Sequence, residues 1–203
     1  MVQTQSIIIA IITSIIGPAL VLYAKYLLEK RASRGDMVQD AAKLGEHVSG
    51  RLEAIKEIYG ADRVWISQFH NGGHFYPTGK SIAKFSVFYE TVGADVQSIQ
   101  TTFHNVPVAL FAKSINQLLE NDTIKVEDFS NKDLDTYGLK YVAEENKTKS
   151  QYLFAVKTFE GKFIGILGMD YTKRKRALHE DELTDLKVSA ASIGGILINH
   201  LRG

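Results

Sequence analysis

The segment with the greatest capacity for chemistry runs from Phe69 to Tyr76, where two imidazoles and an amide flank a diglycine. His70 and His74, together with His104 farther along the chain, could supply nitrogen ligands to a metal ion. The same side chains could instead line a ligand pocket. The structural alternative is that His70 and Asn71 hydrogen-bond a turn in which both glycines adopt positive φ.

The ligand-contact interpretation extends to residues that follow the diglycine. Lys84 could meet an anionic group, although isolated lysines are usually solvated, and Phe88 belongs to the next apolar segment. The predicted ligand-contacting residues are His70, Asn71, His74, Tyr76, Lys84 and Phe88. The sequence assigns no catalytic residue, and it identifies no cofactor.

Composition excludes several classes of chemistry. The sequence has no cysteine, which removes disulfides, thiolate nucleophiles, thiolate metal sites and thioether-linked cofactors. The net charge of +1 provides no overall field that attracts nucleic acid. The diglycine lacks the lysine and helix of a phosphate-binding loop, and no serine stands between glycines at hydrolase spacing. We therefore expect a protein that is not an enzyme and does not bind nucleic acid.

The N-terminal region predicts a membrane anchor. The run from Ile7 to Leu28 is almost wholly apolar, and its length as a helix, roughly 33 Å, matches the hydrocarbon core of a bilayer. A cleaved signal peptide is the alternative, but the segment lacks a basic start. The predicted anchor residues are Ile7, Ile12, Ile16, Leu20 and Leu28.

Basic residues predict the orientation of this span. Lys25, Lys30, Arg31 and Arg34 gather at its C-terminal flank, whereas no Lys or Arg precedes it. By the positive-inside rule we expect a single-pass protein of the inner or plasma membrane whose soluble domain is cytoplasmic. A second basic run could contact anionic lipid at about 1 kcal/mol per charge, although a solvated loop is the alternative; it comprises Lys173, Arg174, Lys175 and Arg176.

Apolar residues recur at heptad spacing between Asp36 and Tyr59. This pattern predicts a helix that pairs two chains into a homodimer, with Val38, Val48, Leu52 and Ile55 on the seam. The alternative is a helix that packs on its own domain. The chain thus divides into an anchor with its basic flank at 1–34, a helical linker at 35–59 and a domain at 60–203.

The domain is predicted to be α+β. The expected elements are two strands at 64–69 and 85–92 with a Gly-Gly turn after the first, helices at 107–120 and 134–146, a hairpin of 151–159 with 163–171, and a helix from Glu180 to Leu201. Helices at both ends can cover the faces of a central antiparallel sheet.

The C-terminal quarter of the chain resembles a known family. The strand from Tyr152, the Glu160-Gly161-Lys162 turn, the FIGILGMDY strand ending at Tyr171, the acidic start HEDEL at His179 and an Ala/Ile/Gly-rich last helix resemble the C-terminal half of a GAF domain. The resemblance extends more loosely over 36–201. It implies a central antiparallel sheet, small molecules bound between the sheet and a helical layer, and dimerisation through the terminal helices.

The resemblance does not extend to the ligand. There is no cysteine for bilin attachment or for the methionine-sulfoxide-reductase branch, and Asn131-Lys132-Asp133 is too short a match to the cyclic-nucleotide branch. We therefore expect a membrane-anchored GAF-like sensory or small-molecule-binding module without its own effector domain. One alternative is a membrane-tethered interaction or scaffold domain with no ligand. A second is a metal-dependent enzyme that uses His70 and His74.

Overall fold

The computed structural model describes residues 12–32, 37–75, 77–131 and 139–201. The described residues form two units, one that ends at Ala42 and one that begins at Lys43. The first unit contains a π-helical turn at Ile12–Ile16 and helix α1 at Gly17–Ala32. Helix α2, Met37–Tyr59, begins in the first unit.

The predicted anchor falls only partly within the described residues. Ile7 lies outside them, and the side chains of Ile12 and Leu28 are not described. Ile16 and Leu20 are exposed, at 46% and 62%. No helix within the described ranges combines the length and the apolar character needed to cross a membrane.

The second unit is a six-stranded antiparallel sheet with helices on both faces. Its strands, in the spatial order β3-β2-β1-β6-β5-β4, are β1 Arg63–His74, β2 Ser81–Val92, β3 Val106–Pro107, β4 Thr123–Val126, β5 Ser150–Lys157 and β6 Phe163–Tyr171. Its remaining helices are a 3-10 turn at Val108–Phe111, α3 Ala112–Asn121, α4 Leu139–Glu145 and α5 Glu180–Leu201. The α+β prediction with a central antiparallel sheet is confirmed.

One face of the sheet is covered by α2 and α5, which bury a large apolar core. The heptad positions of α2 belong to this core: Val48 and Leu52 are fully buried and Ile55 is 5% exposed. The structure therefore contradicts their placement on a seam between two chains, because the same side chains already pack against the sheet. The helix packs on its own domain, as the alternative interpretation held. The fourth seam residue, Val38, belongs to the other unit and is 77% exposed.

The opposite face carries a second core beneath α3, α4 and the long segment between β2 and β3. Its buried apolar members are Trp65, Val87, Ile99, Ile115, Leu118, Ile124, Val126, Phe129, Ala143, Leu153 and Ile166. Helix α3 shows why this layer forms, since Ser114, Ile115 and Leu118 recur at helical spacing on its buried side.

The sequence predicted that the diglycine forms a turn after the first strand, and this prediction is wrong. Strand β1 continues through it to His74, with an irregularity in its pairing with β2. The chain reverses between Phe75 and Lys80, and the Gly79 N–H donates to Phe75 O over 2.8 Å. Gly73 has φ +92°. Gly72 serves a different purpose, because a Cβ there would overlap the aliphatic stem of Lys84.

The other predicted elements differ mainly in their bounds. The C-terminal hairpin and last helix are confirmed as β5, β6 and α5. Pro107 does not open a helix directly, since it pairs with Lys84 in β3 and the 3-10 turn precedes α3. The helix expected at 134–146 is observed as α4, and 132–138 lie outside the described residues. Strands β3 and β4 were not predicted.

Candidate functional site

A cavity of about 50 Å³ lies between the second face of the sheet and the layer of α3 and α4. We call it the sheet cavity. Most of its wall is apolar, formed by Trp65, Phe85, Val87, Ile99, Phe103, Phe111, Ile115, Leu118, Val142, Leu153 and Ile166. The polar side chains that also line it are Arg63, Ser114, Asn146, Thr148, Gln151 and Asp170. An apolar pocket with a few convergent polar groups is the usual form of a small-molecule site.

Three polar side chains form a row across adjacent strands, which we call the polar row. Asp170 on β6 stands opposite Arg63 on β1 and opposite Gln151 on β5. Arg63 Nε donates to Asp170 Oδ2 over 2.7 Å, and Gln151 Nε2 donates to Asp170 Oδ1 over 2.8 Å. Because both carboxylate oxygens accept from the protein, the buried charge of Asp170 is compensated on both sides.

The guanidinium of Arg63 also holds two segments that border the cavity. Its Nη1 donates to the backbone oxygen of Gln97 over 2.9 Å, and its Nη2 donates to Thr148 Oγ1 over 3.0 Å. Gln97 lies in the segment after β2, and Thr148 lies between α4 and β5. The buried Arg63 thereby positions two segments, the loop that contains Ile99 and the connection between α4 and β5.

Trp65 connects the polar row to the apolar wall. Its Nε1 donates to Asp170 Oδ2 over 3.1 Å, and its indole lies over Gly168, the residue opposite it on β6. A Cβ at Gly168 would overlap the indole ring. The absence of a side chain at Gly168 thus allows Trp65 to lie close to the sheet, where it forms part of the cavity wall.

Two polar atoms of the lining have no hydrogen-bond partner within the described part of the protein. They are Ser114 Oγ on α3 and Gln151 Oε1 on β5. Their residues are 3% and 6% exposed. Buried polar atoms are nearly always hydrogen-bonded, because desolvating them without compensation costs about 1–3 kcal/mol. These two atoms are therefore the positions at which a bound molecule would gain most.

The histidine cluster lies apart from the cavity. The His70 Nε2 and Ser86 Oγ atoms are 2.9 Å apart and share a hydrogen bond, and Ser86 Oγ also accepts from the Asn105 N–H. The rings of His70 and His104 both meet Phe88 edge to face. Within the described residues, no group of three or more His, Asp or Glu side chains could hold a metal ion.

The sequence predicted six ligand-contacting residues. None of those that the structure describes lines the sheet cavity. His70 and Lys84 are half-buried, whereas Asn71, His74 and Phe88 are exposed, and Tyr76 lies outside the described residues. The structure brings His70 and Phe88 together, and it lays the Lys84 stem against Gly72. A ligand role for this surface stays a prediction.

The basic run is partly engaged in the domain. Lys175 Nζ donates to Asp128 Oδ2 over 2.6 Å, and Arg176 Nη2 donates to Glu182 Oε1 over 2.8 Å. The Lys175 ammonium, with help from Ser130, lowers the pKa of Asp128 to about 2. Lys173 and Arg174 are exposed, and lipid contact by this run stays a prediction.

Sequence reasoning missed the polar row. Asp170 and Gln151 were read only as members of a hairpin, and Arg63 was not singled out. The available signal was a charged or amide side chain at the end of an otherwise apolar strand, as in the FIGILGMDY segment. Such a residue must be paired when both faces of the sheet are covered.

Similarity to known proteins is found in structure and not in sequence. No protein-family model matches the chain, and no curated protein is significantly similar to it. A far-red cyanobacteriochrome photoreceptor matches with TM-score 0.61 at 15% identity, covering 91% of this chain and all of the other.

Two further solved structures show the same likeness. The PixJ GAF domain of Thermosynechococcus elongatus, in its blue-light absorbing form, matches with TM-score 0.61 at 12% identity, covering 84% of this chain and 91% of the other. A phycoerythrobilin-bound GAF domain of a cyanobacterial phytochrome matches with TM-score 0.62 at 16% identity, covering 87% and 95%. The sheet, its two helical faces and these likenesses together show that the chain has a GAF-like fold.

Proposed function

We propose that this chain is a membrane-anchored sensory module that binds a small molecule in the sheet cavity. The observation that carries the proposal is a mostly apolar cavity lined by two buried residues, Ser114 and Gln151, each with a polar atom that no described protein group satisfies. Apolar burial supplies affinity in such a site, and the few polar groups supply orientation and specificity.

The fold comparison supports a ligand-binding role without naming the ligand. One of the similar structures is a GAF domain bound to phycoerythrobilin. The present sequence has no cysteine that could hold such a group through a thioether. Its cavity of about 50 Å³ is also far smaller than the roughly 300–1,000 Å³ of pockets for drug-sized ligands. We therefore propose a ligand much smaller than a bilin.

Native mass spectrometry of the detergent-purified full chain tests this proposal. The expected spectrum contains a bound small molecule, and Val142→Phe, which fills the cavity from α4, should remove it. The matched control is Leu119→Phe, since Leu119 is 49% exposed on α3 and does not line the cavity. A chain that is repeatedly empty and binds no added small molecule would favour the scaffold alternative.

Membrane anchoring is the second part of the proposal. It rests on the apolar run from Ile7 to Leu28 and on large exposed apolar side chains in α1. Leu20, Val21 and Leu22 are 62%, 68% and 67% exposed. Exposed apolar surface costs about 25 cal/mol per Å² in water, so a contiguous set of this kind favours an apolar environment.

Vesicles containing the full chain test the anchor and its orientation. We expect the protein to stay in the membrane pellet after alkaline carbonate extraction. In right-side-out vesicles the domain should resist protease until the membrane is permeabilised, because the basic flank predicts a cytoplasmic domain. Release by carbonate contradicts the anchor, and digestion in intact vesicles contradicts the orientation.

The homodimer is a separate proposal. It rests on dimerisation through the terminal helices, which the family resemblance implies, and not on Val48, Leu52 and Ile55, which are buried in the domain core. Sedimentation of the full chain in detergent tests it, and a monomer over the whole accessible concentration range would contradict it.

A further inference from the structure

We infer that the ligand of the sheet cavity is a small, uncharged, mostly apolar molecule that donates a hydrogen bond to Gln151. This inference rests on the proposed function, because it specifies the chemistry of the same site. Three properties of the lining lead to it: the size of the cavity, the pairing of its charged side chains, and the fixed orientation of the Gln151 amide.

The size of the cavity limits the ligand. Its volume of about 50 Å³ lies far below the roughly 300–1,000 Å³ of pockets for drug-sized ligands. The ligand is therefore of the size of a short chain or a single ring.

The charges of the lining are already balanced. Arg63 and Asp170 are the charged residues of the described lining, and they pair with each other over 2.7 Å. Asp170 further accepts from Trp65 and Gln151, and Arg63 donates through all three of its side-chain nitrogens. A charged ligand would lose its hydration without gaining a counter-ion, so the lining favours an uncharged one.

The amide of Gln151 sets the polarity of the ligand's functional group. Its Nε2 donates to Asp170 Oδ1 over 2.8 Å, and an ionised carboxylate can only accept, so the amide cannot be flipped without losing this bond. Its Oε1 is therefore held as an acceptor, and it has no partner in the described part of the protein. Only a donor satisfies it. The Ser114 hydroxyl can donate or accept, so a second polar group on the ligand could be either an acceptor or a donor.

Fluorine NMR with three matched probes tests the inference on the full chain in detergent. The probes are 4-fluorophenol, which donates a hydrogen bond, 4-fluorotoluene, which has the same shape without a donor, and 4-fluorobenzoate, which is charged. We expect 4-fluorophenol to bind about tenfold more tightly than 4-fluorotoluene, the ratio for one net hydrogen bond, and 4-fluorobenzoate not to bind.

Two variants separate this inference from the proposed function. Val142→Phe should abolish binding of every probe, whereas Gln151→Leu should reduce the tenfold preference to about onefold while 4-fluorotoluene still binds. If 4-fluorotoluene or 4-fluorobenzoate binds the wild-type chain as tightly as 4-fluorophenol and Val142→Phe abolishes that binding, the cavity is a site but the inferred ligand class is wrong. If no probe binds and no small molecule co-purifies, the proposed function fails as well.

Discussion

Arg63 and Asp170 stand directly opposite each other on β1 and β6, and their side chains form an ion pair with 2.7 Å between Nε and Oδ2. The two side chains are 2% and 0% exposed. Such a pair offsets the cost of burying two charges only while both partners are present. The pair also borders the sheet cavity and holds the loop containing Gln97, so its loss would alter both stability and the proposed site.

Replacing one partner of this pair should be strongly destabilising. Asp170→Asn preserves the shape of the side chain but leaves the Arg63 charge buried without a counter-ion, which we expect to lower the free energy of unfolding by about 3–5 kcal/mol. The matched control is Asp128→Asn, which breaks the exposed pair with Lys175 and should change the free energy of unfolding far less, because solvent screens an exposed ion pair. Urea unfolding of the detergent-solubilised chain measures both, and similar small losses would contradict a buried pair.

The contact between Gly168 and Trp65 can be followed by fluorescence, since Trp65 is the only tryptophan in the sequence. Gly168→Ala places a methyl group where the indole lies. We expect the ring to move toward solvent, with a red-shifted emission maximum and a loss of about 1–3 kcal/mol of stability.

Gly50→Ala is the control for this substitution, because a Cβ at Gly50 has no neighbour within 4 Å and the position lies inside helix α2. It should leave the emission unchanged and stabilise the chain by up to about 1 kcal/mol. An unshifted spectrum for Gly168→Ala would show that the indole does not lie against β6.

Stability should fall in alkaline solution as Tyr171 ionises. Burial raises the pKa of Tyr171 to about 12, and its hydroxyl donates to Tyr59 O over 2.9 Å. Because the folded pKa lies above the unfolded value of about 10, this contribution is fully present below pH 10 and is lost as the pH rises toward 12.

Denaturant unfolding at a series of pH values between 8 and 12 measures this loss, expected to be of the order of 2 kcal/mol. In Tyr171→Phe the corresponding part of the pH dependence should disappear. Tyr141→Phe, at a side chain that is 67% exposed, should retain it. The prediction is wrong if Tyr171→Phe and the wild-type chain lose stability in parallel.

If α2 packs in the core of its own domain, the effect of a substitution on stability should not depend on protein concentration, whereas at a dimer seam it should. Leu52 is fully buried in the domain, so Leu52→Ala should lower the free energy of unfolding by about 2–5 kcal/mol at any protein concentration. Leu110→Ala, at a leucine that is 68% exposed, should change it by about 0.5 kcal/mol or less. A stability loss for Leu52→Ala that vanished at low protein concentration would instead indicate an interface between chains.

Local patterns predicted the elements that local physics governs. The hairpin of β5 and β6 follows from two apolar runs around Glu160-Gly161-Lys162, and Gly161 indeed has φ +79°. The last helix follows from its acidic start and apolar spacing. Strand β4 was missed because four residues, Thr123–Val126, carry too short a pattern to distinguish a strand from a helix end.

The same patterns could not decide what packs against the apolar stripe of α2. A stripe of apolar residues at heptad spacing packs equally well against a second helix or against a sheet, because apolar burial is not directional. Only the position of the sheet under Val48 and Leu52 resolved the choice.

The sequence by itself determined the α+β class, the terminal hairpin and helix, the absence of thiol chemistry and the apolar N-terminal run, since each depends on composition or on neighbours along the chain. Only the tertiary structure decided the site. Arg63 and Asp170 are separated by 107 residues, and strand pairing brings them, with Gln151, into one row. Contacts of this kind depend on register between distant strands, which no local spacing encodes.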